Sequence, residues 1–135
     1  MFGDAKKVTA LSNFNSSLEI DTEHGIDILI LFENGVTGNV HLDYVQKPPK
    51  RTMEIAGTKG RIEFDYYANR VVLYTHDKPL GKEFHLGDDF DRNDMFMTEL
   101  TKFIGAVELN KPSPIPLEDA FKSVDVALKA LNEHN

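Results

Sequence analysis

Between Ile26 and Tyr44 the chain alternates with a period of two on both sides of Asn34-Gly35. Ile26, Ile28, Ile30 and Phe32 fall on one face of a strand, and Asp27, Leu29, Leu31 and Glu33 on the other, because successive strand side chains point to opposite sides. Asn-Gly accepts the positive φ angles of a two-residue hairpin turn, so a turn is expected at Asn34-Gly35. Val36, Gly38, Val40, Leu42 and Tyr44 then resume the alternation. A chain organised around such a hairpin is committed to antiparallel pairing with one apolar face.

The flanking sequence extends this pattern. Lys6 to Phe14 reads as a further short strand, and Thr52 to Ala56 and Arg61 to Asp65 as two more, joined by the glycines of Gly57-Thr58-Lys59-Gly60. Val71 to His76 and Lys82 to Leu86 complete a meander. Lys47-Pro48-Pro49-Lys50 interrupts the ladder, since proline donates no backbone hydrogen bond and holds its predecessor extended. These connections are too short for parallel crossovers.

Past residue 90 the period becomes helical. Phe96, Leu100, Phe103, Ile104 and Val107 make one apolar stripe, with Asp91 or Asn93 available to cap it. Asn110 to Pro116 is a break. Leu117, Ala120, Phe121, Val124, Ala127, Leu128 and Leu131 make a second stripe, with Glu118 and Asp119 where the helix dipole favours acids. Strands first and helices last predict an α+β fold: an open-faced, largely antiparallel β-sheet covered on one face by two C-terminal helices. The uncovered face of the hairpin carries Asp27, Leu29 and Leu31 beside Thr37, Asn39, His41, Asp43 and Val45. That mixture is more apolar than a fully wet face and more polar than a second core layer, which suggests a sheet-to-sheet contact between copies of the chain.

Bulk properties exclude several classes. At 135 residues the chain has room for one domain and not for a dinucleotide-binding domain as well. A net charge of -7 with dispersed basic residues argues against nucleic acid. Nowhere does the sequence hold the roughly 18 consecutive apolar residues of a membrane span, or a secretory signal, and there is no cysteine. A cytoplasmic location without disulfides or thiolate chemistry is the expectation.

The sequence carries no recognisable catalytic constellation. No G-x-G-x-x-G turn is present, and Gly57-Thr58-Lys59-Gly60 lacks the Lys-Ser/Thr that leads a phosphate loop into a helix. Asp88, Asp89, Asp91, Asn93 and Asp94 form the densest acidic run. Starting a calcium loop at Asp89 puts Asp94 where glycine is needed and Leu100 where the closing glutamate should be, so helix capping explains the acids better. His41 and Asp43 share a strand face but do not amount to a metal site, and no histidine neighbours a nucleophile motif. No catalytic, cofactor-binding or metal-ligating residue is assigned.

Phe32-Glu33-Asn34-Gly35-Val36-Thr37-Gly38, followed by Met53 through Ile62 with its Ala56-Gly57-Thr58-Lys59-Gly60-Arg61 core, resembles the Gfo/Idh/MocA family (glucose-fructose oxidoreductase, inositol dehydrogenase, rhizopine catabolism). So do Asn93-Asp94-Met95-Phe96 with Glu99, Leu100 and Phe103, the closing Pro114-Ile115-Pro116-Leu117-Glu118-Asp119-Ala120, and Phe2-Gly3 with Val8-Thr9-Ala10. The resemblance runs the length of the chain. It implies a dihydrodipicolinate-reductase-like two-layer α/β sandwich, spanning residues 1–135, that serves as a C-terminal substrate-binding and oligomerisation domain. Full-length relatives join it to a Rossmann domain that binds NAD or NADP, and pass hydride to or from a sugar, nucleotide sugar or cyclitol. The nucleotide glycines and the catalytic lysine, histidine and aspartate of the family would precede Met1, so the chain alone is expected to be inactive and to bind no cofactor. By position, the resemblance brings Tyr44, Gln46, Lys47 and Arg51 to the substrate cleft. Tyr44 would offer a ring and hydroxyl, and Arg51 a fork for a carboxylate or phosphate. The expected partners are a second copy at the open sheet face, the nucleotide-binding domain and a carbohydrate-like molecule. The alternatives are a stand-alone oligomerisation or ligand-binding module and, less well supported by the residues, a small hydrolase using carboxylates such as Asp43 and Asp94.

Overall fold

The alternation at Ile26–Phe32 is realised in a computed structural model, which describes residues 2–14, 18–87 and 89–132. Asp88 and His134 therefore lie outside the described residues. Seven strands precede two helices: β1 (Ala5–Asn13), β2 (Gly25–Phe32), β3 (Thr37–Asp43), β4 (Thr52–Gly57), β5 (Gly60–Asp65), β6 (Arg70–Thr75), β7 (Lys78–His85), α1 (Asn93–Glu108) and α2 (Leu117–Asn132). All pairings are antiparallel. The α+β class and the order of its elements are those the sequence dictates. The strands form two hydrogen-bonded sheets, ordered β1-β2-β3 and β4-β5-β6-β7, with the ladder broken where Pro48 and Pro49 fall. Two units result, Met1–Val45 with Lys102–Asn135, and Gln46–Thr101.

In the first unit, Ile28 pairs with Ala10 and Val40, and Ile30 with Val8 and Gly38. This register puts Val8, Ala10, Ile28 and Ile30 on one face, where they are buried with Ala130 of α2. Ile26, Phe32 and Val126 pack around them. The hairpin face is the expected one, but the turn is larger than two residues. Phe32 N–H donates to Val36 O and Gly35 N–H to Phe32 O, both at 2.9 Å. Gly35 takes φ 83° and Asn34 keeps a negative φ. The Asn34 carboxamide accepts from Val36 N–H at 3.1 Å. A three-residue loop ending on a left-handed glycine results, the next commonest hairpin connection, with Asn34 used for its side chain and not for its φ.

The helix α2 also differs from expectation. Its contact with β1 is made by Val126 and Ala130, and Lys122 on the same side reaches Asp4 at 2.9 Å and Asp119 at 3.1 Å, which raises the lysine pKa above its ordinary value. The stripe of Leu117, Phe121, Val124, Leu128 and Leu131 lies on the opposite side and is exposed. Small residues let the α2 backbone approach the sheet closely, and the larger ones project away. Cover on the sheet is correspondingly narrow, since Val40 and Leu42 share the inner face by register yet remain exposed.

In the second unit the ladder puts Glu54, Arg61, Glu63, Arg70, Val72 and Glu83 on one face, with Val72 buried at its centre. Met53, Ile55, Ile62, Phe64, Val71, Leu73 and Phe84 form the other. Gly60 is required at the β4–β5 turn: its φ is 152°, and a methyl group there would sit 2.1 Å from the Tyr74 carbonyl oxygen. Asp91 caps α1 as expected, accepting from Asn93 N–H through Oδ1 at 2.9 Å and from Asp94 N–H through its backbone oxygen at 3.0 Å. At the other end Asn110 takes φ 50°, and Lys111 N–H reaches Ala106 O at 2.8 Å, closing the helix. The apolar stripe of α1 is exposed throughout, and the helix buries no residue. Among the described residues no helix is long and apolar enough to cross a membrane.

Candidate functional site

Of the four residues assigned to the cleft, Tyr44 falls in the first unit and Gln46, Lys47 and Arg51 in the second. Tyr44 follows β3, its N–H donating to the His24 carbonyl at 3.0 Å. Its side chain is 66% exposed, so it is not part of the sheet core. Gln46 and Lys47 are exposed on the segment that leads to β4, with a cis peptide between Lys47 and Pro48.

Arg51 is the best defined of the four. The β4–β5 ladder, whose last pair is Thr52 and Asp65, continues by one bond, Tyr66 N–H to Arg51 O at 2.9 Å. That continuation sets the two side chains next to each other, and the Arg51 guanidinium lies 4.5 Å from the centre of the Tyr66 ring. Arg92, just ahead of α1, approaches the same ring at 3.9 Å and donates through Nη2 to the Tyr66 carbonyl at 2.8 Å. The sequence reading missed Tyr66 and Arg92. Arg92 stands inside the acidic run whose local signal is helix capping, and nothing local joins it to a tyrosine 26 positions earlier.

A second constellation occupies the open face of the first sheet. Asp27 on β2 stands opposite His41 on β3. Nδ1 of His41 lies 2.7 Å from Asp27 and Nε2 3.2 Å from Asp43. A neutral imidazole donates through one nitrogen only, whereas the cation donates to both carboxylates. The hydrogen bond to Asp27 and its charge, followed by those of Asp43, raise the His41 pKa above the usual 6.5. With both ring nitrogens turned to carboxylates the cluster is an ion-pair triad, and among the described residues no group of three His, Asp or Glu side chains is arranged to hold a metal. Leu29, on the same face, is 62% exposed.

Residues 1–63 match the family model described as the GFO/IDH/MocA C-terminal domain. The match falls on the hairpin and Met53–Ile62, the segments whose motifs resemble the Gfo/Idh/MocA family. No protein of curated function matches the sequence. Among solved structures, UDP-N-acetylglucosamine 3-dehydrogenase from Acidithiobacillus ferrooxidans is similar at TM-score 0.83 and 17% identity, over 97% of this chain and 40% of that one. An oxidoreductase from Agrobacterium radiobacter, in complex with NAD+, L-tartaric acid and magnesium, is similar at TM-score 0.80 and 18% identity, over 98% of this chain and 42% of that one. Biliverdin reductase from Synechocystis sp. PCC 6803, in complex with biliverdin and NADP+, gives TM-score 0.77 and 18% identity over 98% and 41%. These likenesses establish the fold. The chain spans about 40% of the length of the solved structures it matches.

Proposed function

We propose that this chain is the substrate-binding and oligomerisation part of an NAD(P)-dependent oxidoreductase, working with a nucleotide-binding domain that supplies the cofactor. One observation carries the reading: nearly the whole chain overlays on one part, about 40%, of oxidoreductases whose structures include NAD+ or NADP+. Tyr44, Gln46, Lys47 and Arg51 contribute to the cleft wall, and the substrate is a sugar, nucleotide sugar or cyclitol. The exposed apolar stripes of α1 and α2 are surfaces for the nucleotide-binding domain, since stripes of this kind are normally covered. The open face of the first sheet, with Leu29 between Asp27, His41 and Asn39, is where a second copy packs.

Steady-state kinetics on the longer protein that carries this domain test the proposal. Arg51→Gln is expected to raise KM for the sugar substrate while the dissociation constant for NAD(P)H stays unchanged. Loss of cofactor affinity with KM unaltered would refute the assignment. The alternative of a stand-alone binding module predicts no hydride transfer under any combination of cofactor and sugar.

A further inference from the structure

The chain has four arginines, all in residues 46–101, and they divide into two kinds. Arg61 lies 3.9 Å from Glu54 and 2.8 Å from Glu63, and Arg70 lies 3.5 Å from Glu83. Arg51 and Arg92 instead share the Tyr66 ring, at 4.5 and 3.9 Å from its centre. Among the described residues neither has a carboxylate within ion-pair reach, although the chain carries 22 acids against 15 lysines and arginines. Asp65, next to Tyr66, and Asp91, next to Arg92, are turned onto backbone amides. Asp65 Oδ1 accepts from Tyr67 and Ala68 N–H at 3.0 Å each, and Asp91 Oδ1 from Asn93 N–H at 2.9 Å.

The two guanidinium carbons can be no further apart than their centroid distances laid end to end. Like charges that close repel each other, and a shared anion would offset that repulsion. Arg92 is half-buried and held by the Tyr66 carbonyl, which fixes its plane while leaving its other N–H groups unspent. The Arg51 guanidinium donates to no other described residue. Its ring partner limits the rotamers it samples, so less freedom is lost when an anion binds. The N-terminus of α1, starting at Asn93, adds positive potential beside Arg92.

We propose that Arg51 and Arg92, spaced by Tyr66, bind an oxyanion on a small dianionic molecule, a phosphoryl or carboxylate group of the substrate. This deepens the function proposed above and rests on it for the identity of the molecule as a substrate. Nuclear magnetic resonance of the arginine Nε–Hε groups of the full chain is the test, with inorganic pyrophosphate and malonate as probes at constant ionic strength. The resonances of Arg51 and Arg92 are expected to move together and saturate while those of Arg61 and Arg70 do not. Arg51→Gln and Arg92→Gln should each weaken binding by about tenfold or more, the loss expected when a charge-assisted fork is removed. Arg70→Gln should leave it unchanged. Tighter binding of pyrophosphate assigns a phosphoryl group, and tighter binding of malonate a carboxylate.

Because Arg92→Gln also removes the bond to Tyr66 O, Arg92→Lys and the wild-type resonances supply readings that do not depend on that variant folding. Parallel, unsaturating movement of all four arginines, or full affinity in Arg51→Gln, would overturn the site. Saturable anion binding without hydride transfer by the longer protein would keep the site and sink the proposed function. Hydride transfer to a neutral sugar without anion binding would do the reverse.

Discussion

Replacing Ile28 by alanine should cost the first unit much of its margin, because the core there is small and Ile28 stands at its centre. The side chain is 7% exposed, in register with Ala10 on β1 and Val40 on β3, within the cluster that Ala130 of α2 closes. The change removes three carbons, about 2.4 kcal/mol at about 0.8 kcal/mol per buried methylene. Ala10 is too short to fill the gap, so the residual cavity brings the total to about 3 kcal/mol. The neighbouring Leu29, 62% exposed on the opposite face, should cost no more than about 0.5 kcal/mol when replaced by alanine. Urea unfolding at low protein concentration, with hydrogen exchange at β1 and β2 amides to localise the loss, measures both variants. Equal costs, or a penalty below about 1 kcal/mol for Ile28→Ala, would mean that the strand is slipped by one residue and that the assignment of faces is wrong.

Gly60→Ala should destabilise the β4–β7 sheet by about 1–3 kcal/mol or more, since its methyl group would be 2.1 Å from the Tyr74 carbonyl oxygen; a thermal melt matching wild type would contradict this. His41 should titrate above 6.5, and the sign follows from that direction: its attraction to Asp27 and Asp43 is fully present below pH 6.5 and is lost as pH rises through the folded-state pKa. Asp27→Asn should lower that pKa more than Asp43→Asn does, because Asp27 is the larger cause; the reverse order in an NMR titration would refute the geometry. Leu29→Glu on the open face should shift the chain towards monomer in size-exclusion chromatography with light scattering, and a wild type that is strictly monomeric at high concentration would remove the self-association proposal.

Local periodicity made the hairpin legible because Ile28 and Ile30 must be buried on one side while Asp27 and Leu29 stay outside. The same logic found the helices, the Pro48-Pro49 break and the Asp91 cap, all set by chemistry within a few residues. It failed where the outcome depends on which of two faces a neighbour selects. The large apolar stripe of α2 is the stronger sequence signal, yet the sheet meets Val126 and Ala130, whose small side chains allow closer approach. Asn34-Gly35 marked a turn correctly, but the φ of Asn34 depends on whether its side chain caps Val36 N–H. The Arg51–Tyr66–Arg92 cluster was illegible for a different reason. The bond that aligns Arg51 with Tyr66 follows from strand register, while Arg92 arrives from the far side of two further strands.

On the proposed function, this chain supplies substrate contacts and leaves nicotinamide binding to another domain. Calorimetric titration of the 135-residue chain with NADH and NADPH tests it most directly. No heat beyond dilution is expected for either nucleotide, and micromolar binding of either one would contradict the proposed division of labour.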